Sequence, residues 1–401
     1  MSSSGQQSPE SPQVLKPKVA FVYADELSQY RLSPEHPLRP VRLHHMQELM
    51  LASGLLDLPN VSRPAPRPAT RAEIESAHDP DYVSIVEAIS SGAIAPGKGE
   101  FGLGTPDNPT RSGMYDTTAL CVGTALVASE LVMSGEADIG FAPAGGVHHH
   151  AMRRHASGFG VFNDAVIAMN AMVDAGLRVA YIDIDCHHGD GVQAGHYDSD
   201  RVLTISIHES GQWLFPGTGY VQETGSGDGA GYSVNIPLAP YTQDDDWHMA
   251  FDAVIPDLVR AFEPDVLFTQ LGIDTHFQDP LTHLSLTTQG FNLAVRKLGR
   301  LGAEIGKWVA VGGGGYDLSA VARAWTMALA TMADFSLPDD VPESFTSLAD
   351  TSLEGASPGT PEKFADVPPP PNEHRHLSDI QQHNSQTLDE VRSLIFPKFG
   401  L

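Results

Sequence analysis

Six short apolar runs constrain this chain more than any other feature: VAFVYA (19–24), IGFAPA (139–144), VAYIDID (179–185), VLTISI (202–207), DVLFTQLG (265–272) and WVAVGGGG (308–315). Their apolar residues are nearly continuous rather than alternating, which is the pattern of strands covered on both faces. Segments of helical character separate several of them, over 117–135, 162–176, 245–262 and 288–306. Strand alternating with helix predicts a single α/β domain, a mostly parallel central sheet with helices on both faces. In such sheets ligands bind outside the carboxyl ends of the strands. Four of the runs lead there into residues capable of chemistry: 139–144 into three histidines, 179–185 into DCHHGDG, 265–272 into DTHFQDP and 308–315 into Tyr316.

The domain is expected over 17–335. A Ser-, Gln- and Pro-rich lead-in (1–16) reads as disordered. A polar, Pro-rich extension (336–401) carries a helix candidate at 379–396, and reads as a segment that wraps the domain or serves assembly without a catalytic role. No uninterrupted apolar run reaches the ~20 residues of a membrane span, and the first residues lack a secretory pattern. Cys121 and Cys186 cannot form a disulfide framework, so a cytoplasmic protein is expected. With 24 Lys and Arg against 50 Asp and Glu, the net charge of -26 repels nucleic acid and anionic membranes and attracts basic partners. A homo-oligomer is compatible with this reading.

In VAYIDIDCHHGDG, extended backbone sends Asp183, Asp185 and His187 to one face and Ile182, Ile184 and Cys186 to the other. Three ionisable groups on one face of a buried strand are costly unless paired or bound to metal. Asp274 brings another acid to the same sheet edge. Two carboxylates and one imidazole suit a catalytic Zn²⁺ or Fe²⁺ with a position left open for water. VGGGGY permits close approach of backbone to a ligand and delivers the phenol of Tyr316; four glycines inside a strand would destabilise it, which argues for a functional reason.

These segments in this order, GGVHHHA…ASGFGVFND, YIDIDCHHGDGVQ, SIHESGQWLFPGTG, QLGIDT and GGGGY, resemble the histone deacetylase superfamily of zinc-dependent amidohydrolases. GLGTPDNP and HPLRPVRLHHM make the chain most similar to the bacterial acetoin-utilisation branch, close to the class I enzymes. The resemblance covers roughly 18–330. It implies an arginase/deacetylase-type fold and hydrolysis of Nε-acetyl-lysine to lysine and acetate. By the same resemblance Asp185, His187 and Asp274 are metal ligands, and Tyr316 is the hydrogen-bond donor to the scissile carbonyl. Asp183 and Asp190 orient the paired histidines. Phe159 and Phe215 line the acyl-lysine tunnel, Asp107 is the rim aspartate, Leu281 stands at the gatekeeper position, and Arg42 lines the cavity for acetate release. A structural K⁺ is implied around Asp183, Asp185, His187, Ser206 and Ile207.

The family places one residue between its two glycines and two histidines, whereas this chain has one more. Counting back from ASGF, which anchors the histidines to Phe159, the pair is His149 and His150, with His148 inserted or displaced, and this is the assignment adopted; the alternative, counting from the glycines, is His148 and His149. In the first assignment His150 is the general base and His149 an electrostatic partner. Rival readings are an acetylpolyamine deacetylase, which would carry an acidic gatekeeper where Leu281 stands, a two-manganese ureohydrolase, whose additional carboxylates DIDCHHGD does not supply in order, and a non-catalytic acyl-lysine binding protein. The expected substrate is an acetylated protein, with acetyl-CoA synthetase suggested by the branch resemblance.

Overall fold

In the computed structural model, which describes residues 16–29, 32–33, 35–345, 361–369 and 377–401, every one of the six apolar runs contains a strand. The strands are β1 (Val19–Phe21), β3 (Ile139–Ala142), β4 (Val179–Asp183), β5 (Val202–Glu209), β7 (Val266–Gln270) and β8 (Trp308–Val311). Two strands come from segments with no comparable apolar run, β2 (Val61–Ser62) and β6 (Ser233–Leu238), and they are the two edges of the sheet. The order is β2-β1-β3-β8-β7-β4-β5-β6, and every pairing is parallel.

Alternate residues of β4 feed different cores. Ala180 and Ile182 join one hydrophobic cluster and Val179 and Tyr181 the other, so both faces of the sheet are covered. Helices α1 (Val41–Ala52), α2 (Arg71–Glu75), α3 (Pro80–Ser90), α4 (Met114–Ser134), α5 (Asp164–Asp174), α6 (Asp190–His196), α7 (Asp244–Phe262), α8 (Thr288–Ile305) and α9 (Leu318–Met332) supply the covering layers. Helix α4 is long and apolar enough to cross a membrane, but it packs against α5 and β3 and most of its apolar stretch is buried. The β8 run ends earlier than expected. The strand stops at Val311, so Gly312–Gly315 form a loop beyond the sheet rather than part of it.

Of the lead-in, only Lys16 lies among the described residues, and parts of the extension, 346–360 and 370–376, also lie outside them. The helix candidate at 379–396 falls within the C-terminal helix Leu377–Phe399. Its Leu388, Val391, Ile395 and Phe396 enter the main core cluster, and Asn384 accepts from Ala239 N–H (2.9 Å) and donates to Thr242 Oγ1 (3.0 Å).

Candidate functional site

Five neighbouring strands, β3, β8, β7, β4 and β5, end at one edge of the sheet, and the segments that follow them build a single site. The alternation of β4 persists past its last paired residue. Ile182, Ile184 and Cys186 sink into one core cluster, while Asp183, Asp185 and His187 face the site.

Asp185, His187 and Asp274 are buried, and one potential ligand atom from each lies within 4.8 Å of the others. His187 Nδ1 is 2.8 Å from Asp274 Oδ2 and 3.3 Å from Asp185 Oδ1. The carboxylates are held by backbone and amide donors. Asp185 Oδ2 accepts from Gln270 Nε2 (2.6 Å) and Gly314 N–H (2.7 Å), and Asp274 Oδ1 accepts from Cys186 N–H (2.7 Å). A Cβ at Gly272 would stand 2.1 Å from Asp185 Oδ2, and one at Gly314 2.1 Å from Asp274 Oδ2, so the glycines let the backbone wrap the carboxylates. Burial and the charge of Asp185 raise Asp274, the direction expected of a carboxylate beside another buried carboxylate. Two oxygen donors and one imidazole nitrogen fit a divalent transition metal.

The two histidines that meet the aspartates are those of the ASGF register. His149 Nδ1 is 2.9 Å from Asp183 Oδ2, and His150 Nδ1 is 2.7 Å from Asp190 Oδ1. Their rings are 4.0 Å apart. His148 pairs with neither aspartate; its Nδ1 accepts from Val161 N–H (3.1 Å), and it lines a cavity with Arg42, Cys121 and Phe159. Asn163 and Asp164, in the FND segment, hold this turn. Asn163 Nδ2 donates to Ala151 O (3.0 Å), Asn163 Oδ1 caps α5, and Asp164 Oδ2 accepts from Gly146 N–H (2.8 Å).

The two imidazoles differ electrically. Burial opposes charge on His149, but the carboxylates of Asp185 and Asp183 outweigh it and raise the ring to about 9. Burial and the adjacent His149 push His150 down to about 4 despite Asp190. The two rings are thus held apart in proton affinity, a difference that suits proton transfer.

Tyr316 precedes the cap of α9, where Asp317 accepts from Ala320 N–H. Its N–H donates to Asp279 Oδ2 (2.8 Å), and burial with the charges of Asp274 and Asp185 raises its hydroxyl well above 10, so it stays a proton donor. Phe159 adopts φ +68°, a strained value for a bulky residue, and sets its ring edge-on to Tyr316 at 5.8 Å. Phe215 is 45% exposed and stands 5.0 Å from the His150 ring, so it stands at the mouth. Leu281 is half-buried, its N–H donating to Asp279 Oδ1 (3.0 Å). Asp107 is exposed, and its carbonyl accepts from His36 Nε2 (3.1 Å), whose ring packs on Phe159. Arg42 is no surface residue: it is buried, donating to Gly315 O (2.8 Å) and Gly313 O (2.7 Å). Asp183 and Ser206 are register partners on β4 and β5, Ser206 Oγ meets His208 Nδ1 at 2.8 Å, and Ile207 is buried.

Sequence reasoning passed over Gln270, Asn163, Asp164 and Asp279. All four stand inside or beside the motifs that were read, but as partners of backbone atoms and of other site residues they carry no spacing signal of their own.

Residues 36–332 match the histone deacetylase domain. The chain is 38% identical over 376 residues to the acetoin utilization protein AcuC of Bacillus subtilis, covering 92% of this chain and 96% of that one. It is also 38% identical to the AcuC protein of Staphylococcus aureus over 323 residues, 79% of this chain and 82% of that one. Among solved structures, a histone deacetylase homologue from Aquifex aeolicus superposes with a TM-score of 0.83 at 29% identity, covering 94% of this chain and 100% of that one. A histone deacetylase homologue in complex with SAHA superposes equally well, with the same TM-score of 0.83.

Proposed function

The chain belongs to the histone deacetylase family of hydrolases, in its acetoin-utilisation branch, and on that premise we propose that it hydrolyses Nε-acetyl-lysine in proteins to lysine and acetate. The observation that carries this reading is the placement of two His–Asp pairs beside the Asp185, His187 and Asp274 cluster, with His149 Nε2 3.9 Å from Asp185 Oδ1 and the His150 ring 5.8 Å from that of His187. A binding module has no use for such a proton-transfer apparatus.

Asp185, His187 and Asp274 would hold Zn²⁺ or Fe²⁺, and a metal so bound acidifies water and polarises an acyl carbonyl. His150, with Nδ1 committed to Asp190, offers Nε2 to the attacking water, takes its proton and returns it to the departing amine. His149, kept charged by Asp183 and Asp185, favours the negative charge that develops. The hydroxyl of Tyr316 donates to the carbonyl oxygen, a contribution of about 2.7–4 kcal/mol for such a donor. Phe159 and Phe215 line the approach, Asp107 stands at the rim, and Arg42 draws the acetate product into the cavity. A structural K⁺ beside Asp183, Asp185, His187, Ser206 and Ile207 belongs to the same reading.

Leu281 supplies no charge to recognise a polyamine, which favours a lysine side chain in a protein. Acetylated metabolic enzymes, an acetyl-CoA synthetase among them, are the proposed partners, in keeping with relatives named for acetoin utilization. The test compares turnover of an acetyl-lysine peptide and of acetylspermidine by chelator-stripped protein before and after adding Zn²⁺ or Fe²⁺, with Tyr316→Phe as control. Metal-restored peptide turnover that the substitution removes is the expected outcome. Turnover of the polyamine alone would overturn the substrate, and turnover of neither the catalytic reading.

A further inference from the structure

A charged residue from outside the 36–332 domain match is buried directly behind the site. Asp366 lies in the described part of the C-terminal extension, and its side chain is 7% exposed. Its Oδ2 accepts from His276 Nε2 (2.9 Å) and Thr288 N–H (2.7 Å), and its Oδ1 accepts from Arg323 Nη1 (2.7 Å). The backbone is fastened as well: Asp366 N–H donates to Gln289 Oε1 (2.9 Å) and its carbonyl accepts from Gln289 Nε2 (3.2 Å). One residue thus ties together the extension, the start of α8, α9 and the loop after β7.

That loop does three things within eight residues. Asp274 belongs to the metal-type cluster, His276 is fully buried against Asp366, and Asp279 accepts from the N–H groups of Tyr316 and Leu281. His276 Nδ1 accepts from Gln278 N–H (3.3 Å), so Nε2 carries the hydrogen that Asp366 receives and the ring spans from the loop to the extension. Asp279 N–H in turn donates to His276 O (2.9 Å). The position of His276 therefore sets where Asp274 and, through Asp279, the backbone of Tyr316 can stand.

We infer that Asp366 is a positioning residue for the reaction: through His276 it fixes the 274–281 loop that carries a metal ligand, the anchor of Tyr316 and the gatekeeper position. A buried ion set is weak evidence for net stabilisation, because its desolvation offsets much of its attraction, whereas the geometry it fixes in a loop is specific. The extension is then a working part of the site rather than only a wrap. The inference rests on the deacetylase reading only for its effect on turnover.

The experiment compares wild type with Asp366→Asn, with Gln289→Ala, which frees the backbone of Asp366 but leaves its carboxylate, and with Lys363→Ala as an exposed control on the same segment. Four quantities are read: deuterium uptake over 271–282, the Kd for added Co²⁺, and kcat and KM on an acetyl-lysine peptide. Asp366→Asn is expected to raise deuterium uptake, weaken Co²⁺ binding about tenfold, the low end for partners of metal ligands, and lower kcat with KM within about twofold. Gln289→Ala moves the same quantities less, and decides the matter if Asp366→Asn does not fold; Lys363→Ala moves none. A lowered Tm with uptake and Co²⁺ binding as in wild type would overturn the inference. Absence of turnover by metal-loaded wild type would instead overturn the deacetylase reading, leaving uptake and Co²⁺ affinity to judge Asp366.

Discussion

The molecule buries a histidine against an aspartate in two settings that look alike in a contact list and differ in consequence. At the end of β3, His149 and His150 meet Asp183 and Asp190 at 2.9 and 2.7 Å. Behind the site, His276 meets Asp366 at 2.9 Å. In the first setting the pairs stand beside the metal-type cluster, with His149 Nε2 3.9 Å from Asp185 Oδ1, and the rings are driven apart electrically, one to about 9 and the other to about 4. In the second, Arg323 completes the set: burial opposes ionisation of Asp366, but the His276 hydrogen bond and the Arg323 charge outweigh it and hold the carboxyl well below its usual range. The ring of His150 keeps Nε2 available beside the cluster, whereas His276, bonded at both nitrogens, is held in position.

The largest effect that could break this contrast lies at the site. His150→Ala should lower kcat by about 10²–10⁴-fold with the fold intact, since it removes the proton carrier. Tyr316→Phe should cost about 10²–10³-fold by removing the oxyanion donor. Steady-state kinetics on metal-loaded protein decide both: near-wild-type turnover in His150→Ala would make that histidine as structural as His276, and in Tyr316→Phe it would remove the phenol from the reaction. Next, Gly314→Ala places a methyl where Asp274 Oδ2 stands, so metal binding should weaken at least tenfold, as seen in equilibrium dialysis.

Smaller effects sharpen the comparison from the positioning side. Because the native pKa of Asp366 is lowered, its stabilisation is complete above the unfolded value of about 3.9 and is lost as pH falls toward the native one. The Tm difference between wild type and Asp366→Asn should therefore be constant from about pH 8 to pH 5 and shrink only in stronger acid; a difference that disappears near pH 6 would point to an imidazole instead. The least effect on catalysis is expected from Asn384→Ala, which leaves buried Ala239 N–H and Thr242 Oγ1 short of a partner. It should lower stability by about 1–3 kcal/mol in urea titration while kcat stays as in wild type.

Much of the site was legible because its ligands follow strands whose apolar character is unmistakable. The period of two in VAYIDIDCHHGDG separated Asp183, Asp185 and His187 from Ile182, Ile184 and Cys186, and the fold keeps that separation. The edge strands were not legible: Val61–Ser62 is too short for a pattern, and Ser233–Leu238 is interrupted by polar residues and a proline. The glycine run was assigned to a strand, since composition cannot tell a strand from the loop that continues it.

What the sequence determined by itself was the parallel sheet, the edge that carries chemistry and the residue types gathered there, because periodicity and strand-end motifs are local properties. The pairing of the histidines, which the sequence carried only through its resemblance to a family, the burial of Arg42 against the glycine loop and the reach of Asp366 to His276 are matters of tertiary structure. Each joins residues 34 to 273 positions apart. No local pattern encodes such a contact; it exists because the packing of helices on the sheet brings a donor and an acceptor together away from water, where leaving either unpaired would be costly.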